Sequence, residues 1–167
     1  MEPQMRFCTS FDGVRIAYAT LGEGPPLVNV PSWGFNLELD WKHPNGRAFL
    51  EGLSRGRLYV AFDCPGVGAS QRDVHDVSLD ARVGDIATVV DHLQLERFDL
   101  FGGLDGAAVS VAYAAKHPER VYRIPMRHGI RCLNLATAAG IVLYESIRQT
   151  GLVIDDGLSH ATLPTGL

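Results

Sequence analysis

Cysteine is scarce and poorly spaced for chemistry. Cys8, Cys64 and Cys132 are odd in number, far apart and free of any C-x-x-C pair, which argues against a zinc site or a disulfide framework. Long apolar runs are missing as well. The longest falls far short of the roughly 20 residues a membrane-spanning helix needs, so no membrane partner is expected. The opening residues, MEPQMRF, contain no apolar stretch of the kind a signal peptide carries, and a cytoplasmic location follows by default. Nor is there an excess of basic residues. The formal net charge is −4, so no global positive field draws the chain to nucleic acid. No internal repeat is present.

What is there reads as one ordinary globular domain. The chain has 167 residues, 46% of them hydrophobic and 20% charged, proportions typical of soluble proteins. Residues 7–11 and 14–20 read as two strands joined by the Asp12-Gly13 turn signal. Residues 27–30 and 58–62 are short continuous apolar strands, each followed by a loop rich in turn formers. Residues 45–54 form a short helix. Over 78–93 the apolar positions Leu79, Val83, Ile86, Val90 and Leu93 recur at helical spacing behind Ser78, a good N-cap. Residues 98–101 form the next strand. A small-residue helix over 105–116 is stopped by His117-Pro118. A strand over 121–126 and a helix over 134–149 follow, and residues 152–167 show no periodicity and read as a loop or disordered tail.

A hairpin followed by alternating strands and helices predicts an α/β fold: a mostly parallel sheet with an N-terminal antiparallel hairpin and helices on both faces. Ligands in such sheets bind at the carboxyl ends of the strands. Three loops fall there, at residues 31–34, 63–70 and 102–106.

The last of these is the most informative. "FDLFGGLDGAAVS", residues 98–110, passes from strand through glycines into a helix, and its central frame is Gly102-Gly103-Leu104-Asp105-Gly106. With it go "DGVRIAYATLGEGPPLVNVPSWG", "LELDW", "FDCPGVGAS", "SLDARVGDIATVVDHLQLERFDLFGG" and "AYAAKHPERV". In order and spacing these resemble the α/β-hydrolase family over residues 6–121, most closely the hydrolase-like domains attached to some bacterial cyclases and regulators. The resemblance implies that the turn is the nucleophile elbow, G-x-S-x-G in the family. Leu104 then occupies the nucleophile's position, and Trp33, in the loop 31–34, and Asp105 occupy the oxyanion-hole positions. A leucine side chain cannot attack a carbonyl or exchange a proton with histidine. The acid and histidine that the family places after further strands are not recognisable in the chain. The resemblance therefore implies a truncated, degenerate member with no catalytic residues. Ser32 and Cys64 are loop residues that would need a nearby base to act. His92 and His117 sit at helix ends, where a cation complements the dipole, and His43 and His75 lie on loops or helices without a partner the sequence can name.

The tail carries a second resemblance. Arg123-Ile124-Pro125-Met126, Arg131-Cys132-Leu133-Asn134 and Tyr144-Glu145-Ser146-Ile147-Arg148-Gln149 are similar to the last motif of SPOUT-class tRNA 2'-O-methyltransferases, with cysteine in place of the usual serine. In that family the segment forms part of a knot, which implies that backbone around Ile124, Met126 and Leu133 faces S-adenosylmethionine and that tRNA is the partner. Arg123, Arg127, His128 and Arg131 form a local basic cluster, a pattern more often solvated than bound to RNA. The two resemblances meet near Val121–Arg123, as in a fusion, a recombined or truncated reading frame, or a chimera. The expected organisation is a hydrolase-like part over 1–121, a strand and helix over 122–151 packed on the same sheet, and the tail over 152–167.

Three readings stand at this point. The first is a hydrolase-like protein without serine-hydrolase catalysis and without a cofactor. The second is a methyltransferase-related protein using S-adenosylmethionine. The third is a non-enzymatic module binding a small apolar ligand in the crevice the fold leaves open. An incompletely covered sheet also points to self-association.

Overall fold

The computed structural model describes residues 3–121. The expected strand over 122–126, the helix over 134–149, the tail, and Ile124, Met126 and Leu133 lie outside the described residues.

Two strands open the chain, β1 (Arg6–Thr9) and β2 (Arg15–Leu21). Their turn is stapled by Ser10, whose hydroxyl donates to the Val14 carbonyl and accepts from the Val14 N–H. β3 (Pro26–Val30) leads into α1 (Leu37–Lys42) and α2 (Pro44–Leu53), and β4 (Leu58–Phe62) into α3 (Leu79–His92). β5 (Asp99–Gly102) and α4 (Asp105–Lys116) complete the order. The five strands form one mixed sheet in the order β1-β2-β4-β3-β5. The hairpin pairs antiparallel, within itself and onto β4. β4, β3 and β5 run parallel, with Val28 opposite both Val60 and Leu100. Beyond β5, Val121 bridges Phe98 in parallel.

Side chains alternate across the sheet, as a pleated strand requires. Val28, Val30, Val60 and Phe62 meet Val83, Ile86, Val89 and Val90 of α3 and Val109 and Tyr113 of α4 on one face. Leu27, Tyr59 and Ala61 meet Leu37, Trp41 and Leu50 of α1 and α2 on the other. Helices therefore cover both faces of continuous apolar strands, the arrangement anticipated for this fold class. Ser78 caps α3 as expected, accepting from the Ala81 N–H at 3.2 Å.

α1 was not anticipated. Six residues are too few for a helical period to show, and this helix depends on its ends. The Asn36 side chain accepts from Leu39 N–H at 3.0 Å, and the chain turns directly into Pro44 at the start of α2. Among the described residues no helix is long and apolar enough to cross a membrane.

Candidate functional site

Because β3, β4 and β5 are parallel neighbours, the loops that follow them converge at one end of the sheet. All three loops singled out in the sequence are there.

The turn after β5 is the sharpest. Leu104 has φ 53° and ψ −126°, a conformation that belongs to the first central position of a type II′ turn and is dominated by glycine. Its side chain is 87% exposed at the apex. Two glycines make this geometry achievable. A methyl group on Gly106 would strike the Val30 carbonyl oxygen, and one on Gly102 would strike the Ser110 hydroxyl and sit 2.6 Å from the Gly106 carbonyl oxygen. The start of α4 therefore lies directly against the end of β3, which only a residue without a side chain allows. Leucine offers α4 no side-chain cap.

The loop after β4 is held by Asp63, which is fully buried. One carboxylate oxygen accepts from Leu37 N–H at 2.8 Å and the other from Ala69 N–H at 2.9 Å. Burial raises its carboxyl above the ordinary range, against the pull of those two amides. Ser70 extends the knot, donating to the Asp63 carbonyl at 2.7 Å and accepting from Ala17 N–H at 2.9 Å. Asp63 thus anchors both its own loop and the first residue of α1. Charge-assisted bonds to backbone amides are strong enough to justify a buried carboxylate.

At the centre is Arg82, which sequence reasoning missed. It projects from α3 and is 8% exposed. Its guanidinium donates to the Asp105 carboxylate at 2.6 Å, to the Pro31 carbonyl at 2.5 Å and to the Cys64 sulfur at 3.6 Å. It also lies 5.0 Å from the centre of the Trp33 ring. A signal was available: Arg82, Ile86 and Val89 share helical spacing on the buried side of α3, and a charge on an apolar stripe needs a partner.

Trp33 and Asp105, assigned to the two oxyanion-hole positions, are therefore brought together by Arg82. Of the other candidates, Cys64 touches Arg82 and the histidines have other surroundings. Cys64 is buried, and burial pushes its thiol up to about 11 despite the opposing pull of Arg82, so it is a poor nucleophile at neutral pH. His92 shares a hydrogen bond of 3.1 Å with the Tyr18 hydroxyl. His117 stacks on Tyr113 with ring centres 4.6 Å apart. His43 joins α1 to α2, and His75 is exposed on the long loop before α3. Among the described residues, no group of three or more His, Cys, Asp or Glu side chains is arranged to hold a metal ion.

The fold recurs in known proteins. The 2-hydroxy-6-oxo-2,4-heptadienoate hydrolase of Pseudomonas putida is 34% identical over 114 residues, which are 67% of this chain and 40% of the relative. The 2-hydroxymuconate semialdehyde hydrolase of a Pseudomonas species is 33% identical over 117 residues, 67% of this chain and 39% of the relative. The chain spans about 40% of the length of these curated relatives. Among solved structures, a meta-cleavage product hydrolase from Pseudomonas fluorescens superposes with a TM-score of 0.61 at 26% identity, covering 71% of this chain and 42% of that one. The profile of the alpha/beta hydrolase fold matches residues 25–126, a span that takes in all three converging loops, and the chain accordingly belongs to the alpha/beta hydrolase fold family.

Proposed function

We propose that this chain keeps the hydrolase crevice but not serine-hydrolase catalysis, and that the crevice holds a small apolar ligand. The observation that carries this reading is Leu104. It has the backbone conformation of an elbow apex, φ 53° and ψ −126°, and presents a hydrocarbon side chain where the chemistry needs an oxygen that can share its proton with a base. The relatives are named as hydrolases, which favours a shared crevice. The elbow residue argues against a shared covalent step. Trp33, 41% exposed, adds apolar surface in the same loop cluster as Leu104, and apolar lining with a few polar groups is the usual character of small-molecule sites.

The direct test is incubation of the purified chain with short-chain nitrophenyl esters and a serine-reactive fluorophosphonate. No turnover and no labelling are expected. Stoichiometric labelling of one serine, with turnover lost when that serine is replaced, would overturn the reading.

The resemblance of Arg123–Gln149 to a methyltransferase motif supports a second reading, an S-adenosylmethionine site around Ile124, Met126 and Leu133. That segment supplies one wall of the resembled pocket, and a one-sided site gives up much of the burial a small ligand needs. A thermal-shift titration of the chain with S-adenosylmethionine should therefore show no stabilisation. Micromolar binding lost on changing Met126 or Leu133 would make the methyltransferase reading the first.

A further inference from the structure

We propose that Arg82 is the positioning residue of the crevice, setting the separation of the loop after β3 from the turn after β5 and holding the Trp33 ring against its guanidinium. The two loops leave adjacent parallel strands at the same level, since Val30 is opposite Gly102 in the β3–β5 register. At the closest point Gly106 abuts the Val30 carbonyl. Just beyond it, the Pro31 carbonyl and the Asp105 carboxylate both bond to Arg82. Both are acceptors, so without a donor between them they would repel and the loops would part. Arg82 supplies separate N–H groups to the two, one nitrogen donating to Asp105 and the other to Pro31. Its charge also faces the Trp33 ring at 5.0 Å, an attractive arrangement that limits the ring's orientation.

The geometry calls for arginine specifically. A planar fork can serve two acceptors and lie against a ring at once, whereas a lysine ammonium is a compact point charge without that shape. Arg82 reaches the crevice from beneath, on a helix packed into the core, so the loops are referenced to a rigid element. Its pairing with Asp105 offsets the guanidinium charge at that contact. This deepens the ligand-site reading and rests on it only where ligand binding is concerned: with the guanidinium already paired to a carboxylate and Trp33 and Leu104 exposed nearby, a neutral apolar molecule suits the site better than an anion.

The experiment uses the full chain and two readouts. The first is acrylamide quenching of tryptophan fluorescence, which reports chiefly on Trp33, 41% exposed, because Trp41 is 5% exposed. Release of the cation–π hold in R82M or R82K should raise the quenching constant about twofold as the ring swings toward full exposure. D105N leaves Arg82 in place and tests one arm of the clamp should the arginine variants fail to fold; an intermediate rise is expected. The double variant R82M/D105N should add nothing to R82M, since the two act through one contact. The second readout is binding of 2-naphthol, a neutral apolar probe. R82K should weaken it about tenfold, the equivalent of one charge-assisted hydrogen bond, and V111A, at a position of α4 that is 71% exposed, should leave it unchanged. Quenching that is the same in wild type, R82K and D105N would overturn the assignment of Arg82. Failure of the wild type to bind 2-naphthol, with quenching still dependent on Arg82, would sink the ligand-site reading and leave the positioning role standing.

Discussion

Replacing Leu104 with glycine should make this protein more stable, although it deletes a large apolar side chain. At φ 53° and ψ −126° a residue with a Cβ is strained, at a cost of about 1–3 kcal/mol. Glycine removes that strain but adds freedom to the unfolded chain, at a cost of about 0.5–1 kcal/mol. The leucine side chain is 87% exposed, so its loss forfeits little burial. The balance is a gain of about 1 kcal/mol, which for a chain of this size is a rise of about 4 °C in melting temperature. Leu104→Ala is the control. Alanine loses the same side chain yet keeps the strained Cβ, so it should be neutral or slightly destabilising. The difference between the two variants isolates the backbone term. Urea denaturation of both variants and wild type, followed by far-ultraviolet circular dichroism, measures it. A glycine variant no more stable than the alanine variant would refute the reasoning, because the apex would then carry no strain.

Gly106→Ala tests the neighbouring contact. Its methyl group would meet the Val30 carbonyl oxygen, part of a central strand that cannot step aside. A loss of about 1–3 kcal/mol is expected from overpacking, visible as a lower urea midpoint at unchanged slope; a neutral result would mean that α4 and β3 are further apart. Asp85 gives a pH dependence. Folding raises its carboxyl from 3.8 to about 7, chiefly by burial; Arg82 pulls the other way, and Asp12 and Asp76 push it up further. An acid raised by folding binds its proton more tightly in the native chain. Its contribution is complete below about pH 3.8 and is lost as pH rises through about 7. Asp85→Asn should therefore flatten the fall in stability across that window, and pH profiles that match wild type would count against the buried carboxyl.

The local patterns of the sequence were sufficient for most elements. The apolar run 58–62 is β4 as bounded, and the small-residue helix begins at Asp105 and ends at Lys116. The helical period and Ser78 located α3 to within a residue at each end. The sharp turn between β5 and α4 was legible for the same reason: glycines at fixed offsets between a strand and a helix record a backbone constraint that acts over a few residues. What the tertiary structure decided are relations between distant residues. The order β1-β2-β4-β3-β5 depends on pairing that no short stretch encodes. α1 exists because Asn36 caps it and Asp63, 26 positions away, accepts from the Leu37 N–H at its first residue. Arg82 stood in view as a charge on an apolar stripe. Its partners lie 23 and 51 positions away, at Asp105 and Pro31, and only the folded sheet brings the three together. Side-chain periodicity reports which face of an element is buried; it carries no information about which loop arrives on the other side.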